Sequence, residues 1–261
     1  MTTALALKTI DFPALVPNSR QARIIAANVG NEPVREQDLT KVSTPAGGGT
    51  VWQIDNLGNV ESTDEIVGLL VAEGIRCTLW PKDDPSEMRP VIVSHDGLVG
   101  YRVGDDLGDC DPKALEKYRI GDRKYDWTAL STGPEFGWGS GKGGPRSRKV
   151  KESRVLAILR TGETWPVLVT VGPGSLGNWL PFRKRLPAFI YECVVGLKLQ
   201  KVKNDAGQPY SQLVPRLVGV LTEEQGNVAE AIYHKPLTAM FNAPPLGGRV
   251  ISSEGDGSTE E

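Results

Sequence analysis

The sequence predicts a mostly β, α+β protein. The expected parts are an OB-like barrel core, a long irregular insertion within it and a disordered acidic C-terminal tail. Three observations carry this. Glycine and proline supply 30 and 19 of the 261 residues, which favours short strands and turns over a helix bundle. Residues 151–222 hold the most regular apolar pattern, in the order strand, strand, connector helix, long strand pair, an order compatible with an OB-type barrel. Residues 81–150 instead collect Pro81, Pro85, Pro90, Pro112, Pro134 and Pro145 over weak periodicity. The chain therefore divides into an N-terminal arm (1–45), a core (46–241) carrying the insertion (81–150), and a tail (242–261).

Taken in order, residues 20–28 read as a helix or extended arm closed by Gly30. A glycine loop at 45–50 leads into a short strand at 51–54 and a turn at 55–58. Residues 62–65 resemble a helix N-cap, but the β-branched run at 66–71 favours a buried strand continuing to 80. The insertion carries an acidic knot (Asp105, Asp106, Asp109, Asp111), one short strand at 91–93 and a glycine-rich end at 137–145. Strands follow at 153–159 and 165–171, then a connector helix at 174–180 capped by Ser175. A long strand at 189–203, a tight turn at 204–207 and a return strand at 211–221 form a hairpin, in which Pro215 demands an edge or a bulge. A helix capped at 222–225 runs to about residue 233, and the segment from 242 is too poor in apolar residues to dock.

Composition excludes several classes. Hydrophobic residues are 39% and charged residues 24%, an ordinary globular balance, and no apolar run approaches the length of a membrane span. Residues 1–10 lack a small-residue cleavage site, so no signal peptide is expected. Three scattered cysteines (Cys77, Cys110, Cys193) fit a reducing, cytoplasmic compartment, and with two histidines (His95, His234) no zinc site is expected. A net charge of −2 gives no overall pull on nucleic acid, so such binding needs a local patch.

Catalytic motifs fail on spacing. A phosphate loop needs a glycine five residues ahead of Gly141 in the Gly141-Lys142 pair and a hydroxyl after the pair, where this chain has Phe136 and Gly143. A nucleophile elbow around Ser175 needs glycine where Pro173 stands. The acidic knot lacks the EF-hand pattern. No catalysis and no cofactor are expected.

Basic clusters are more informative. Lys142, Arg146, Arg148, Lys149, Lys151 and Arg154 lie close together, opposed only by Glu152. Arg183, Lys184 and Arg185 follow Trp179 and Phe182, and Lys198, Lys201 and Lys203 share a hairpin with Tyr210. Cations beside aromatic rings suit single-stranded nucleic acid, whose phosphates need neutralising and whose unpaired bases stack. The expected groove has Trp179, Phe182 and residues 183–185 as one wall, and Lys198, Lys201, Lys203 and Tyr210 as the other. The bland alternative makes Trp179 and Phe182 core anchors and the lysines a wet strand face.

Blocks at 22–28, 45–52, 68–71, 94–97, 108–110 and 166–176 stand in order along the chain, ahead of the more specific Leu197-Lys-Leu-Gln-Lys-Val-Lys-Asn-Asp-Ala-Gly-Gln-Pro-Tyr-Ser211 and 219–224. In this order and phrasing the chain resembles a divergent member of a phage and mobile-element family of predicted single-stranded-DNA-binding proteins. The resemblance implies an OB-type fold and non-catalytic binding of single-stranded DNA during phage replication or recombination, in the host cytoplasm. Members of that family carry several cysteines in the insertion, in the manner of a zinc ribbon. Here only Cys110 stands there, so no metal is carried over. The tail acids Glu254, Asp256, Glu260 and Glu261 resemble tips through which such proteins contact replication or recombination enzymes. Two other readings fit a loop-rich β protein: a virion or polymerase-associated assembly protein, and an RNA-binding subunit.

Overall fold

The computed structural model describes residues 33–244 except 57, 81–89, 104–106, 142–147 and 205–206, together with positions 9, 10, 12, 15, 20, 23, 24 and 27. The expected tail beyond residue 244, Asp105 and Asp106 of the acidic knot, and the cations Lys142 and Arg146 lie outside the described residues. The strands are β1 (Lys41–Val42), β2 (Trp52–Asn56), β3 (Asn59–Thr63), β4 (Glu65–Leu79), β5 (Ile92–Ser94), β6 (Val99–Arg102), β7 (Arg119–Gly121), β8 (Lys124–Asp126), β9 (Val150–Arg160), β10 (Val167–Val171), β11 (Cys193–Lys203) and β12 (Pro209–Val220). The helices are α1 (Pro112–Glu116), α2 (Trp127–Thr132), α3 (Pro173–Lys184), α4 (Glu223–Ala229) and α5 (Lys235–Asn242). The protein is α+β and mostly β, and its described residues fall into two compact units, one of those up to Cys77 with Lys151–Ala243, the other Thr78–Val150.

In the first unit the strand order is β1-β10-β9-β4-β11-β12. β1 pairs parallel to β10, while β9–β10, β4–β11 and β11–β12 are antiparallel. The expected barrel does not close among the described residues. The reason lies in burial. Along β4, Leu69 and Val71 enter one core and Ile66 and Leu70 the other; along β9, Val155, Ala157 and Leu159 oppose Leu156 and Ile158. Strands apolar on both faces need cover on both faces. Ala229, Tyr233, Leu237 and Phe241 cover one, and Trp52, Ile54, Leu176 and Trp179 cover the other.

Close approaches in this unit depend on glycine. A Cβ at Gly68 would lie 2.5 Å from the Leu159 carbonyl oxygen, and one at Gly74 would lie 2.6 Å from Cγ of Phe241. Between α4 and α5 a π-helical turn at Glu230–His234 precedes Pro236. The wider turn accommodates a residue without an N–H whose ring crowds the preceding turn.

Two expectations change. The turn at 55–58 leads to an unforeseen strand, β3, and the β2–β3 hairpin turns where Asp55 Oδ1 accepts the Gly58 N–H at 2.8 Å. Among its described residues the insertion holds more regular structure than the one short strand expected. Its strands pair antiparallel in the order β5-β6-β8-β7, with α1 and α2 and buried Ile92, Leu115, Tyr125, Trp127, Leu130 and Phe136. Three- and four-residue strands are too short for alternation to register in sequence.

Candidate nucleic-acid interface

α3 lies along the edge of β12 away from β11, an edge that the Ile10 N–H meets at its end by donating to the Val220 carbonyl at 2.9 Å. Ser175 does not cap α3. Its Oγ accepts the Leu213 N–H at 2.9 Å, Asn178 Nδ2 donates to the Leu213 carbonyl at 2.8 Å, and Gln212 Nε2 donates to the Gly174 carbonyl at 2.9 Å. Gly172 takes the N-cap position, with Pro173 in the first turn. Since Leu213 directs its backbone groups outward, alternation directs those of Pro215 outward too. The edge thus presents, two residues on, a residue with no N–H to leave unpaired. The expected edge position of Pro215 is met, and a bulge follows between Val194 and Val195.

Trp179 is not a stacking surface. It is 0% exposed, and its Nε1 donates to Glu73 Oε1 at 3.0 Å. Its packing against Leu197, Leu199 and Leu213 makes it the core anchor of α3. Glu73, only 6% exposed, also takes Nε of Arg183 and lies 3.4 Å from Nε of Arg154. The charge of Arg183 is therefore committed to a buried carboxylate. Lys184 and Arg185 are exposed and form no ion pair among the described residues.

The hairpin lysines do not share one wall. Cross-strand partners lie on the same face of a sheet. Lys198, Gln200 and Val202 face the same way as Val214, Gln212 and Tyr210, whereas Lys201 and Lys203 share the opposite face with Ser211 and Pro209. Lys201 lies over Gly48, where a Cβ would meet its Cγ at 2.8 Å, and the Ser211 hydroxyl contacts the Pro45 and Gly49 carbonyls at 2.8 and 2.7 Å. On the other face Lys198 is 3.9 Å from Glu65, which Arg216 engages in a bidentate pair. The Arg216 hydrogen bond holds the Glu65 carboxyl below its usual range. Tyr210 is half-buried against Gly174.

What α3 and this face share is an open groove of about 480 Å³. Asn178, Pro181, Phe182 and Arg185 line one side and Gln200, Val214 and Pro215 the other. Phe182 is half-buried there, tilted against Trp179 at 5.6 Å. The arrangement offers apolar floor, amide hydrogen bonding and a cationic rim.

Sequence reasoning passed over the two aromatics that follow the basic helix end in the chain. Phe189 is 65% exposed and stacks on Tyr191 at 5.3 Å with ring planes 4° apart, and Tyr191 packs in turn on His234 at 4.6 Å. His234 Nδ1 lies 2.9 Å from the Val71 carbonyl, which orients the ring from the π-helical turn. The sequence signal was the i, i+2 aromatic pair four residues after Arg185. It was absorbed into the predicted strand, whereas these residues form a 3₁₀ turn at Ile190–Glu192. Cys193 is buried, and burial pushes its thiol up to about 11, so it is no nucleophile at neutral pH.

In the second unit, Arg148 lies 4.8 Å over the Trp138 ring and Lys149 lies 5.9 Å from the ring of buried Phe136. No family model matches the chain, and neither a curated protein nor a solved structure does.

Proposed function

We propose that this protein binds single-stranded DNA without chemistry, in phage genome replication or recombination, along the groove between α3 and β12. The observation that supports this reading is the convergence of Phe182 and Arg185 with Gln200 and Val214 on one open, apolar-floored channel. Lys184 and Arg185 on the helix end and Lys198 on the facing strand offer phosphate contacts. Phe182, together with the Phe189–Tyr191 stack just beyond the helix, offers ring faces for unpaired bases. On this reading the oligonucleotide lies along the α3-covered edge of the sheet rather than in the barrel groove expected from the sequence. The acidic tail is assigned to contacts with replication or recombination enzymes.

The test is fluorescence anisotropy of a labelled oligo-dT across a salt series, with an oligo-U competitor. Binding with a log–log salt slope of about −0.7 per phosphate contact supports the reading. Tighter competition by RNA moves the assignment to an RNA-binding subunit. Absence of salt-sensitive binding to either polymer ends it in favour of an assembly role.

A further inference from the structure

We infer that Trp138 and Arg148 form a second base-stacking platform, in the unit Thr78–Val150, which takes one unpaired nucleobase and its adjoining phosphate. The inference rests on the proposed nucleic-acid function but on a different part of the molecule. Trp138 is 65% exposed. Among the six tryptophans it is the exposed one: Trp52, Trp127 and Trp179 are buried, and Trp80 and Trp165 are partly so.

An indole left largely in water forgoes the gain of burying its apolar area, so its position invites an account of what covers it. The local backbone holds it out. Gly137 comes so near the preceding helix that a Cβ would lie 2.6 Å from the Gly133 carbonyl oxygen, and Gly139 takes a positive φ of 86°. Neither neighbour has a side chain to shield the ring. Behind it the backbone is pinned. Trp138 and Arg148 form an antiparallel bridge, Ser140 Oγ accepts the Lys149 N–H at 3.1 Å, and the Val150 N–H donates to the Phe136 carbonyl at 3.3 Å.

That bridge sets the Arg148 guanidinium 4.8 Å above the ring. A cation over one face of an indole leaves the other for a flat, electron-poor partner. An unpaired base meets that description, and the same guanidinium stands where the phosphate of a stacked nucleotide needs a counter-charge. An apolar peptide would use the exposed indole but gain little from a guanidinium on its face.

The experiment uses the full chain and oligo-dT, comparing wild type with Trp138→Ala, Trp138→Phe and Arg148→Gln by anisotropy, melting temperature and tryptophan quenching. Trp138→Ala is expected to melt as wild type and to bind roughly 5- to 150-fold more weakly, the worth of one stacked base. Trp138→Phe should restore most of the affinity while removing the quenching that oligo-dT causes in wild type. Arg148→Gln should make the salt slope shallower by about 0.7. Wild-type affinity in Trp138→Ala, with wild-type quenching retained in Trp138→Phe, overturns the platform and leaves the groove reading standing. Failure of the wild type itself to bind any oligonucleotide overturns both.

Discussion

Asn178 and Leu213 meet side chain to backbone, the amide nitrogen donating to the strand carbonyl at 2.8 Å. With Ser175 Oγ accepting the N–H of the same Leu213, a helix completes the hydrogen bonding that a neighbouring strand would otherwise supply. The edge of β12 is thereby closed to pairing, and the groove beside it is open for another use.

Ser175→Ala should therefore destabilise the fold by about 1–3 kcal/mol, the cost of leaving a buried N–H without an acceptor. Urea denaturation measures it. Asn178→Ala should cost less, because Asn178 is only half-buried and water can reach the carbonyl it leaves. Equal stability of Ser175→Ala and wild type would show that the contact contributes nothing net.

Trp179 and Arg185 should separate stability from binding. Trp179→Ala empties a fully buried site and leaves Glu73 without its indole donor, so a loss of about 3–5 kcal/mol is expected in the melting profile. Arg185→Ala should melt as wild type and make the salt dependence of oligonucleotide affinity shallower by about 0.7. A normal melting curve for Trp179→Ala would contradict its place in the core.

Phe189→Ala should keep the wild-type melting temperature, because the ring is largely in water. Binding should weaken by roughly 1–3 kcal/mol, with little change in salt slope, as for loss of a stacked base rather than an ionic contact. An undiminished affinity would remove the Phe189–Tyr191 stack from the binding surface.

Glu135 gives the acid limb of stability. Hydrogen bonds from Lys117 and then Tyr118 hold its carboxyl down to about 2, against an ordinary value of 4.5. A carboxyl depressed by folding stabilises the native state above its unfolded value, and that contribution fades as pH falls through the folded one. Stability should thus decline between about pH 4.5 and 2. Glu135→Gln should flatten that part of the profile, measured by denaturant midpoints across the range. An unchanged slope in the variant would mean that other carboxylates account for the decline.

Much of the core was legible locally. The runs at 153–159 and 66–71 are apolar at both parities, which marks buried strands, and Asn204 with Gly207 marks the hairpin turn, where the Gly207 N–H donates to the Asn204 carbonyl at 2.9 Å. The barrel expected around these runs does not close among the described residues, because residues apolar at both parities need cover on both faces of a sheet. The single wall expected of Lys198, Lys201 and Lys203 fails on parity, because facing alternates at every residue of a strand. The insertion stayed illegible because its strands are shorter than the window in which alternation can be recognised.

By itself, then, the sequence determined the long buried strands at 66–80, 153–159 and 165–171, the hairpin with its turn at 204–207, and that Pro215 stands at an edge or a bulge. These follow from local chemistry: apolar periodicity, a ring without an N–H, a turn residue free to take positive φ. The tertiary structure alone decided that Trp179 lies inside and Phe189 outside, that Arg183 is tied to Glu73, and that Arg185 reaches the groove. Trp179 and Glu73 are 106 positions apart. Whether an aromatic residue stacks on a ligand or anchors a helix depends on which distant segment packs over it, and no local pattern encodes that choice.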